Sequence, residues 1–162
     1  MARSIYELED YLKKRIKDIV DKEMIQLVAE EARDIIYKRV KSGKGLSANV
    51  KFGANIVPLK KLSTEYITVR GKRILGPYGV PKKSNLTLTG ELLEAMVFKI
   101  IGNGAILYID NKTHEESGLP TQVLAQYVSE QGRPFFGLAV REEKILTAFI
   151  QRLIRARSKR GN

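Results

Sequence analysis

The sequence predicts an α+β fold with a long N-terminal helix, a small antiparallel β-sheet containing a hairpin, a helix before and after that sheet, and an extended basic loop or arm. Three observations predict it. Residues 4–41 lack Gly and Pro and have apolar residues at helical spacing, Asn103–Gly104 separates two apolar stretches, and residues 141–156 repeat the helical spacing. We expect a single domain over residues 1–156, since a chain of 162 residues suits one domain.

The first helix is predicted over residues 4–41. Ser4 and Glu7 have the spacing of a capping box, and Gly43 provides a stop signal just after the pattern. At about 1.5 Å per residue this helix would be about 57 Å long, which is more than one small domain can bury. We therefore expect either a break near Asp21–Lys22 or packing of part of the helix on another chain.

Two loops are predicted in the middle of the chain. Residues 42–58 are rich in Gly, Ser and Asn, which favours a flexible arm or irregular loop. Pro58 is predicted to open a short helix with the apolar residues Leu59, Leu62, Tyr66 and Val69. Residues 71–83 contain several Gly and Pro and are predicted to form a second flexible loop.

A short helix and a hairpin follow. Thr89 is the predicted N-cap of a helix that contains Leu92, Leu93 and Met96. The hairpin is predicted over Val97–Gly102 and Ala105–Asp110, with Asn103–Gly104 as its turn, because Asn and Gly accept positive φ angles.

Two more helices are predicted near the C-terminus. The first opens at Pro120–Thr121 and ends at Gly132, and its apolar side is formed by Val123, Leu124, Tyr127 and Val128. The second, Arg141–Ala156, is amphipathic. Residues 157–162 are predicted to be a basic disordered tail.

The segment between these helices, RPFFGL at 133–138, contains two of the five phenylalanines. Pro134 favours an extended backbone, in which adjacent side chains point to opposite faces. We therefore expect one phenylalanine to enter the core and the other to face outward. The candidate packing or interface anchors are Arg133, Pro134, Phe135, Phe136, Leu92 and Leu93.

The net charge of +11 is unevenly distributed, because residues 42–90 contain nine Lys/Arg and one Glu. Such a segment is typical of a surface that meets DNA or an acidic partner, although a solvated loop that only maintains solubility is the alternative. The candidate contacts are Lys60, Lys61, Arg70, Lys72, Arg73, Lys82 and Lys83.

No pattern of catalytic, cofactor-binding or metal-binding residues is found, so we expect a protein that is not an enzyme and has no cofactor. Cysteine is absent, and the single histidine, His114, has no second ligand at metal-binding spacing, which favours an exposed loop histidine. The adjacent acids Glu142 and Glu143 diverge on a helix, which favours an exposed face. The apolar runs are too short to span a membrane.

The order of these elements resembles a family. A long N-terminal helix, an L-T-x-T-G-x-L-L element (Leu86 to Leu93), a hairpin, a helix, the R-P-F-F-G-L element and a final amphipathic helix are together similar to the tail-completion or virion-morphogenesis proteins of tailed bacteriophages. The phrase PLKKLSTEYITVR, 58–70, also resembles a helix of some neck proteins. The resemblance extends over residues 1–156.

This resemblance implies a structural protein of the virion neck that is assembled in the host cytoplasm. Such proteins form a ring of six copies, with twelve as the alternative, between the head-side connector or portal adaptor and the tail terminator or tail tube. Genomic DNA passes through the lumen. The implied function is tail completion, with a tail-terminator or head-closure ring protein as the alternatives. A small nucleic-acid-binding protein that uses the basic segment is the alternative from another class.

Overall fold

The computed structural model describes Lys14 and residues 19–47, 54–60, 91–114 and 118–160. In these ranges helices and two small antiparallel sheets confirm the α+β fold class. The elements in chain order are α1 (Lys22–Lys41), β1 (Lys44–Leu46), β2 (Ile56–Pro58), α2 (Glu91–Glu94), β3 (Met96–Ile101), β4 (Gly104–Ile109), α3 (Thr121–Glu130) and α4 (Val140–Arg160).

The long N-terminal pattern breaks at Asp21, as one of the two predicted alternatives required. Asp21 has extended backbone angles, φ −96 and ψ 176, and its carboxylate accepts a hydrogen bond of 2.8 Å from the Met24 N–H. This N-cap starts α1. The helix ends at Lys41, and Gly43 follows with a φ of 80, which confirms the predicted stop. Ser4 and Glu7 lie outside the described residues.

The prediction of an irregular arm over 42–58 is wrong for β1 and β2, which pair antiparallel with Leu46 opposite Ile56. Pro58 ends β2 instead of opening a helix, because the Leu59 N–H donates to the Gly43 carbonyl over 2.9 Å and fixes the chain beside the end of α1. Proline has no backbone N–H to donate to the strand ladder, and the last position of β2 does not need one. Residues 48–53 lie outside the described ranges, as do the predicted loop at 71–83 and the predicted helix positions Leu62, Tyr66 and Val69.

The hairpin is confirmed, with two differences at its ends. Met96 is the first residue of β3 instead of part of the preceding helix, and it pairs with Ile109. Ile101 pairs with Gly104, so the two turn residues are Gly102 and Asn103, one position earlier than predicted. Gly102 supplies the positive φ, 57, that a two-residue hairpin turn requires. The predicted N-cap Thr89 lies outside the described residues.

Helix α3 begins at Thr121 as predicted, but its buried face differs. Thr121 and Ala125 are its buried residues, whereas Val123 and Tyr127 are 49% and 57% exposed. The Thr121 hydroxyl donates to the Asp110 carbonyl, and this contact with the end of β4 sets the rotation of the helix. The predicted apolar side is therefore wrong at Val123 and Tyr127.

Helix α4 continues to Arg160, so the predicted disordered tail is wrong for residues 157–160. Arg157 binds the carboxylates of Asp21 and Glu23 at the start of α1. This contact holds the last turns of α4 against α1. Residues 161–162 lie outside the described ranges.

One hydrophobic core joins these elements. Helix α1 packs against the hairpin, β1 and α4, whereas α2 and α3 pack against each other and against the hairpin. The members of this core cluster are Ile36, Val40, Leu59, Leu92, Leu93, Ala95, Met96, Ile109, Ala125 and Phe135.

Candidate functional site

The two adjacent phenylalanines occupy different environments, as their predicted alternation required. Phe135 is 0% exposed and belongs to the core, whereas Phe136 is 37% exposed. Their rings meet edge to face, with 6.5 Å between centroids. The chain before them is fixed by its backbone, because the Pro134 carbonyl accepts a 2.8 Å hydrogen bond from the Leu46 N–H.

The other predicted anchors contribute to packing. Leu92 and Leu93 are both buried and share the core cluster with Phe135. Arg133 is half-buried, and its Nε donates to the Lys60 carbonyl over 3.3 Å. Leu92 and Leu93, the described leucines of the L-T-x-T-G-x-L-L element, therefore share one cluster with Phe135 of the R-P-F-F-G-L element.

Sequence reasoning missed the buried ion pair between Arg39 and Glu142, which joins α1 to α4. The Arg39 guanidinium also donates to the carbonyls of Phe135 and Gly137, the latter over 3.0 Å. Glu142 is only 4% exposed, so its interpretation as part of an exposed acidic face is wrong, although Glu143 is exposed. Glu142 is buried because its carboxylate turns back to accept a 2.8 Å hydrogen bond from the Ala139 N–H at the start of α4.

Burial lowers the pKa of Arg39, and the charge of Glu142 opposes this shift. A guanidinium with this partner stays protonated near neutral pH. Its Nε is the one buried side-chain nitrogen or oxygen without a hydrogen-bond partner among the described residues. The pair therefore acts as a fixed link between two helices and the R-P-F-F-G-L element.

His114 is buried, 9% exposed, so its prediction as an exposed loop histidine is wrong. Its loop folds back on itself, since the His114 N–H donates to the Leu119 carbonyl over 2.9 Å and Thr113 forms a bridge with Pro120. The imidazole Nε2 lies 3.7 Å from Glu91 Oε2 at the start of α2. Within the described ranges, no group of three or more His, Cys, Asp or Glu side chains is placed to hold a metal ion.

An apolar groove of about 550 Å³ lies between α1, α4 and the tip of the hairpin. Met24, Val28 and Ala32 form its α1 wall. Leu146, Ile150 and Ile154 form the α4 wall. Phe136 also borders the groove, so the outward phenylalanine faces an open apolar surface.

Of the predicted basic cluster, only Lys60 lies within the described residues. Lys60 is exposed and follows β2 closely. The remaining candidates lie outside the described residues, so their contact with DNA or an acidic partner stays a prediction. These candidates are Lys61, Arg70, Lys72, Arg73, Lys82 and Lys83.

None of the helices in the described part of the chain combines the length and apolar character needed to cross a membrane. Comparison with protein-family models, curated proteins and solved structures found no match to this chain.

Proposed function

We propose that this protein is a structural subunit of the head-to-tail connector of a tailed bacteriophage, where it forms a ring that completes the tail end of the neck. The observation that supports the proposal is the shared core position of the described ends of the two motifs on which the resemblance depends. Leu93 of the first motif and Phe135 of the second are almost fully buried in the same cluster. The described ends of the two motifs thus belong to a single packed unit.

A ring subunit needs surfaces that fit a neighbouring copy, and the hairpin offers one. The inner face of the hairpin is buried through Met96 and Ile109. Its outer face carries the exposed apolar side chains Ile101, Ile106 and Tyr108, which share one side of the strand pair according to its register. The exposed Lys99 lies opposite Ile106 on the same face. A face with several large exposed apolar side chains is typical of a protein–protein interface.

The exposed residues of α3 offer a second apolar surface, formed by Val123 and Tyr127. In a closed ring each copy presents one surface to a different surface of its neighbour. The hairpin face and the α3 face suit this arrangement because they are carried by different elements. We propose that contact between these two faces closes the ring.

The first experiment tests ring formation in solution by sedimentation velocity. The wild-type protein is expected to sediment as a closed oligomer of six copies, or of twelve. Ile101→Glu is expected to yield monomers, because its cross-strand neighbour Gly104 offers no counter-charge and a carboxylate cannot be buried unpaired in an apolar interface. The control is Lys144→Glu, an exposed change on α4 that leaves both faces intact. A wild-type protein that stays monomeric at all concentrations would contradict the proposal.

The second experiment asks where the ring acts. In a phage that lacks the gene, electron microscopy of the lysate is expected to find full heads without tails beside separate mature tails. Abnormally long tails would instead assign the protein to tail termination. Normal infectious particles would rule out a role in the neck.

A further inference from the structure

Five cationic side chains form one stripe along α4, and all of them are exposed. At about 100° of rotation per residue they fall within about 80° of one another around the helix axis. From its first to its last member the stripe extends about 27 Å, at about 1.5 Å per residue. We call this surface the cationic stripe, and it consists of Arg141, Lys144, Arg152, Arg155 and Lys159.

The cationic stripe lies on the side of α4 that is opposite to α1. Two ion pairs mark the side that meets α1, because Glu142 binds Arg39 and Arg157 binds Asp21. Ile150, on the same side of α4, borders the apolar groove. These three positions of α4 are centred about 160° around the helix axis from the stripe. The five cations therefore face away from α1 and from the groove.

No acidic side chain of α4 neutralises the stripe. The helix contains two acids, of which Glu142 is buried against Arg39 and Glu143 projects about 140° away from the stripe. Within the part of the chain that the structure describes, none of the five cations forms an ion pair. The guanidinium of Arg152 instead lies over the Phe149 ring, 5.8 Å from its centroid. The stripe is thus a surface of a single sign.

This arrangement is unfavourable for α4 without a partner. Like charges three or four positions apart destabilise a helix. Arg141 also lies in the first turn of α4, where the helix dipole disfavours a cation. A helix face that only meets water usually carries charges of both signs. A partner with many negative charges would relieve the repulsion in three pairs, which are Arg141–Lys144, Arg152–Arg155 and Arg155–Lys159.

The shape and surroundings of the stripe favour the backbone of a nucleic-acid duplex as this partner. A membrane-surface helix buries its apolar face in the lipid, whereas Leu146 and Ile150 of α4 border the groove beside α1. Single strands are bound largely by stacking on aromatic side chains, and the stripe contains none. Duplex DNA carries one negative charge per about 1.7 Å of its axis, so a straight stripe of about 27 Å meets several phosphates whatever the base sequence.

We propose that the cationic stripe of α4 binds the phosphate backbone of double-stranded DNA without sequence preference. The guanidinium groups of Arg152 and Arg155 suit bidentate contacts with phosphate oxygens. Lys44 of β1 extends the surface, because it lines the same cleft as Arg141 at the start of α4. The inference goes beyond the proposed function and does not depend on it, since the stripe lies within one copy and apart from the hairpin and α3 faces.

Fluorescence anisotropy with a labelled duplex of about 30 base pairs tests the proposal over about 50 to 200 mM salt. The logarithm of the wild-type affinity is expected to fall linearly with the logarithm of the salt concentration. Arg152→Gln/Arg155→Gln removes two phosphate contacts, so it is expected to flatten this slope by about 1.8 and to weaken binding at the lowest salt about tenfold or more. Glutamine preserves α4 because its helix propensity is close to that of arginine.

The matched control is Lys22→Gln/Lys38→Gln, which removes the same charge from two exposed positions of α1. Its slope is expected to stay within about 0.5 of the wild type, because counterions are released only where phosphates are contacted. Equal slopes for the two double variants would overturn the proposal, since net charge would then account for the binding. A wild-type protein that does not bind the duplex at the lowest salt would overturn it as well.

A second arm of the experiment replaces the duplex by vesicles that contain phosphatidylserine. Stripe-dependent binding to these vesicles, without a stripe-dependent slope on the duplex, would assign the surface to a membrane and overturn the proposal. The duplex comparison is also made in the Ile101→Glu background, where the ring is not expected to form. The same difference in slope is expected there, so the outcome separates the DNA-binding surface from the proposed ring.

Discussion

Arg39 and Glu142 are 103 positions apart in sequence and form a buried ion pair. The same carboxylate of Glu142 caps α4 by accepting a hydrogen bond from Ala139. The guanidinium of Arg39 meanwhile binds the carbonyls of Phe135 and Gly137. This one pair thus connects the end of α1, the phenylalanine segment and the start of α4.

Glu142→Gln is expected to destabilise the protein strongly. The change leaves the charge of Arg39 buried without its counter-charge, and breaking a buried pair in this way costs about 3–5 kcal/mol. Urea unfolding followed by circular dichroism measures the loss. The matched control is Glu143→Gln, at the next and exposed position of α4, which is expected to change the free energy of unfolding by less than about 0.5 kcal/mol.

A double variant separates the pair from its individual members. Arg39→Met/Glu142→Gln removes both charges, so it is expected to lose less stability than the sum of the two single changes. Equal midpoints for Glu142→Gln and Glu143→Gln would contradict the structural role of the pair.

Phe135→Ala and Phe136→Ala are expected to differ in their effect on stability. Phe135 is completely buried, and truncating a buried phenylalanine costs about 3–5 kcal/mol. Phe136 is more than one-third exposed at the edge of the groove, so its truncation removes fewer contacts and is expected to cost less than half as much. The free energies of unfolding of both variants test this. A larger loss for Phe136→Ala would mean that the assignment of core and outward rings is reversed.

Local patterns predicted the elements whose structure is set within a short segment. The spacing in α1 and α4, the stop at Gly43 and the hairpin around Asn103 depend on neighbouring residues, so the sequence contains them. The alternation of Phe135 and Phe136 is likewise a local consequence of an extended backbone.

Local patterns could not predict which residues are buried by partners that are distant in sequence. β1 pairs with β2 across residues that the composition marked as an arm, and Glu142 is buried by Arg39 of another helix. One signal was available, because Arg39 lies three residues after Ile36 and so shares the buried face of α1. A charged side chain on such a face needs a partner, although the pattern alone does not say which one.

Gly45→Ala is expected to destabilise the protein by about 1–3 kcal/mol through overpacking. A Cβ atom at Gly45 would lie 2.5 Å from Leu59 Cδ2 and 2.6 Å from the Pro134 carbonyl oxygen. The carbonyl belongs to the backbone that holds Phe135 in place, so it has little freedom to move. Thermal unfolding measures the effect.

Gly104→Ala is the matched control for this change. The nearest atom to a Cβ at Gly104 is the Ile101 carbonyl oxygen at 4.0 Å, which is ordinary contact. The expected change is within about 0.5 kcal/mol. If both alanine variants lost the same amount of stability, the close contacts at Gly45 would not be the reason for glycine at that position.

Asp21 is expected to make the stability of the protein depend on pH in the acidic range. The hydrogen bond from Arg157 lowers the pKa of Asp21 below its ordinary value, and the hydrogen bond from the Met24 N–H adds to the shift. Because the folded state has the lower pKa, the stabilisation is complete above the unfolded pKa of about 4. It is lost as the pH falls through the folded pKa.

Asp21→Asn isolates this charge, because asparagine is also a good N-cap and still accepts the Met24 hydrogen bond. The variant is expected to unfold at a lower temperature than the wild type at pH 7. The difference should shrink as the pH falls below about 4, where Asp21 of the unfolded chain takes up a proton, and vanish once the pH is below the lowered pKa of Asp21 in the folded state. Asp34→Asn, at an exposed position of α1, controls for the loss of one negative charge. A difference between Asp21→Asn and the wild type that stays constant from neutral to acidic pH would contradict the ion pair with Arg157, because a lost charge interaction must disappear when the carboxylate is neutral.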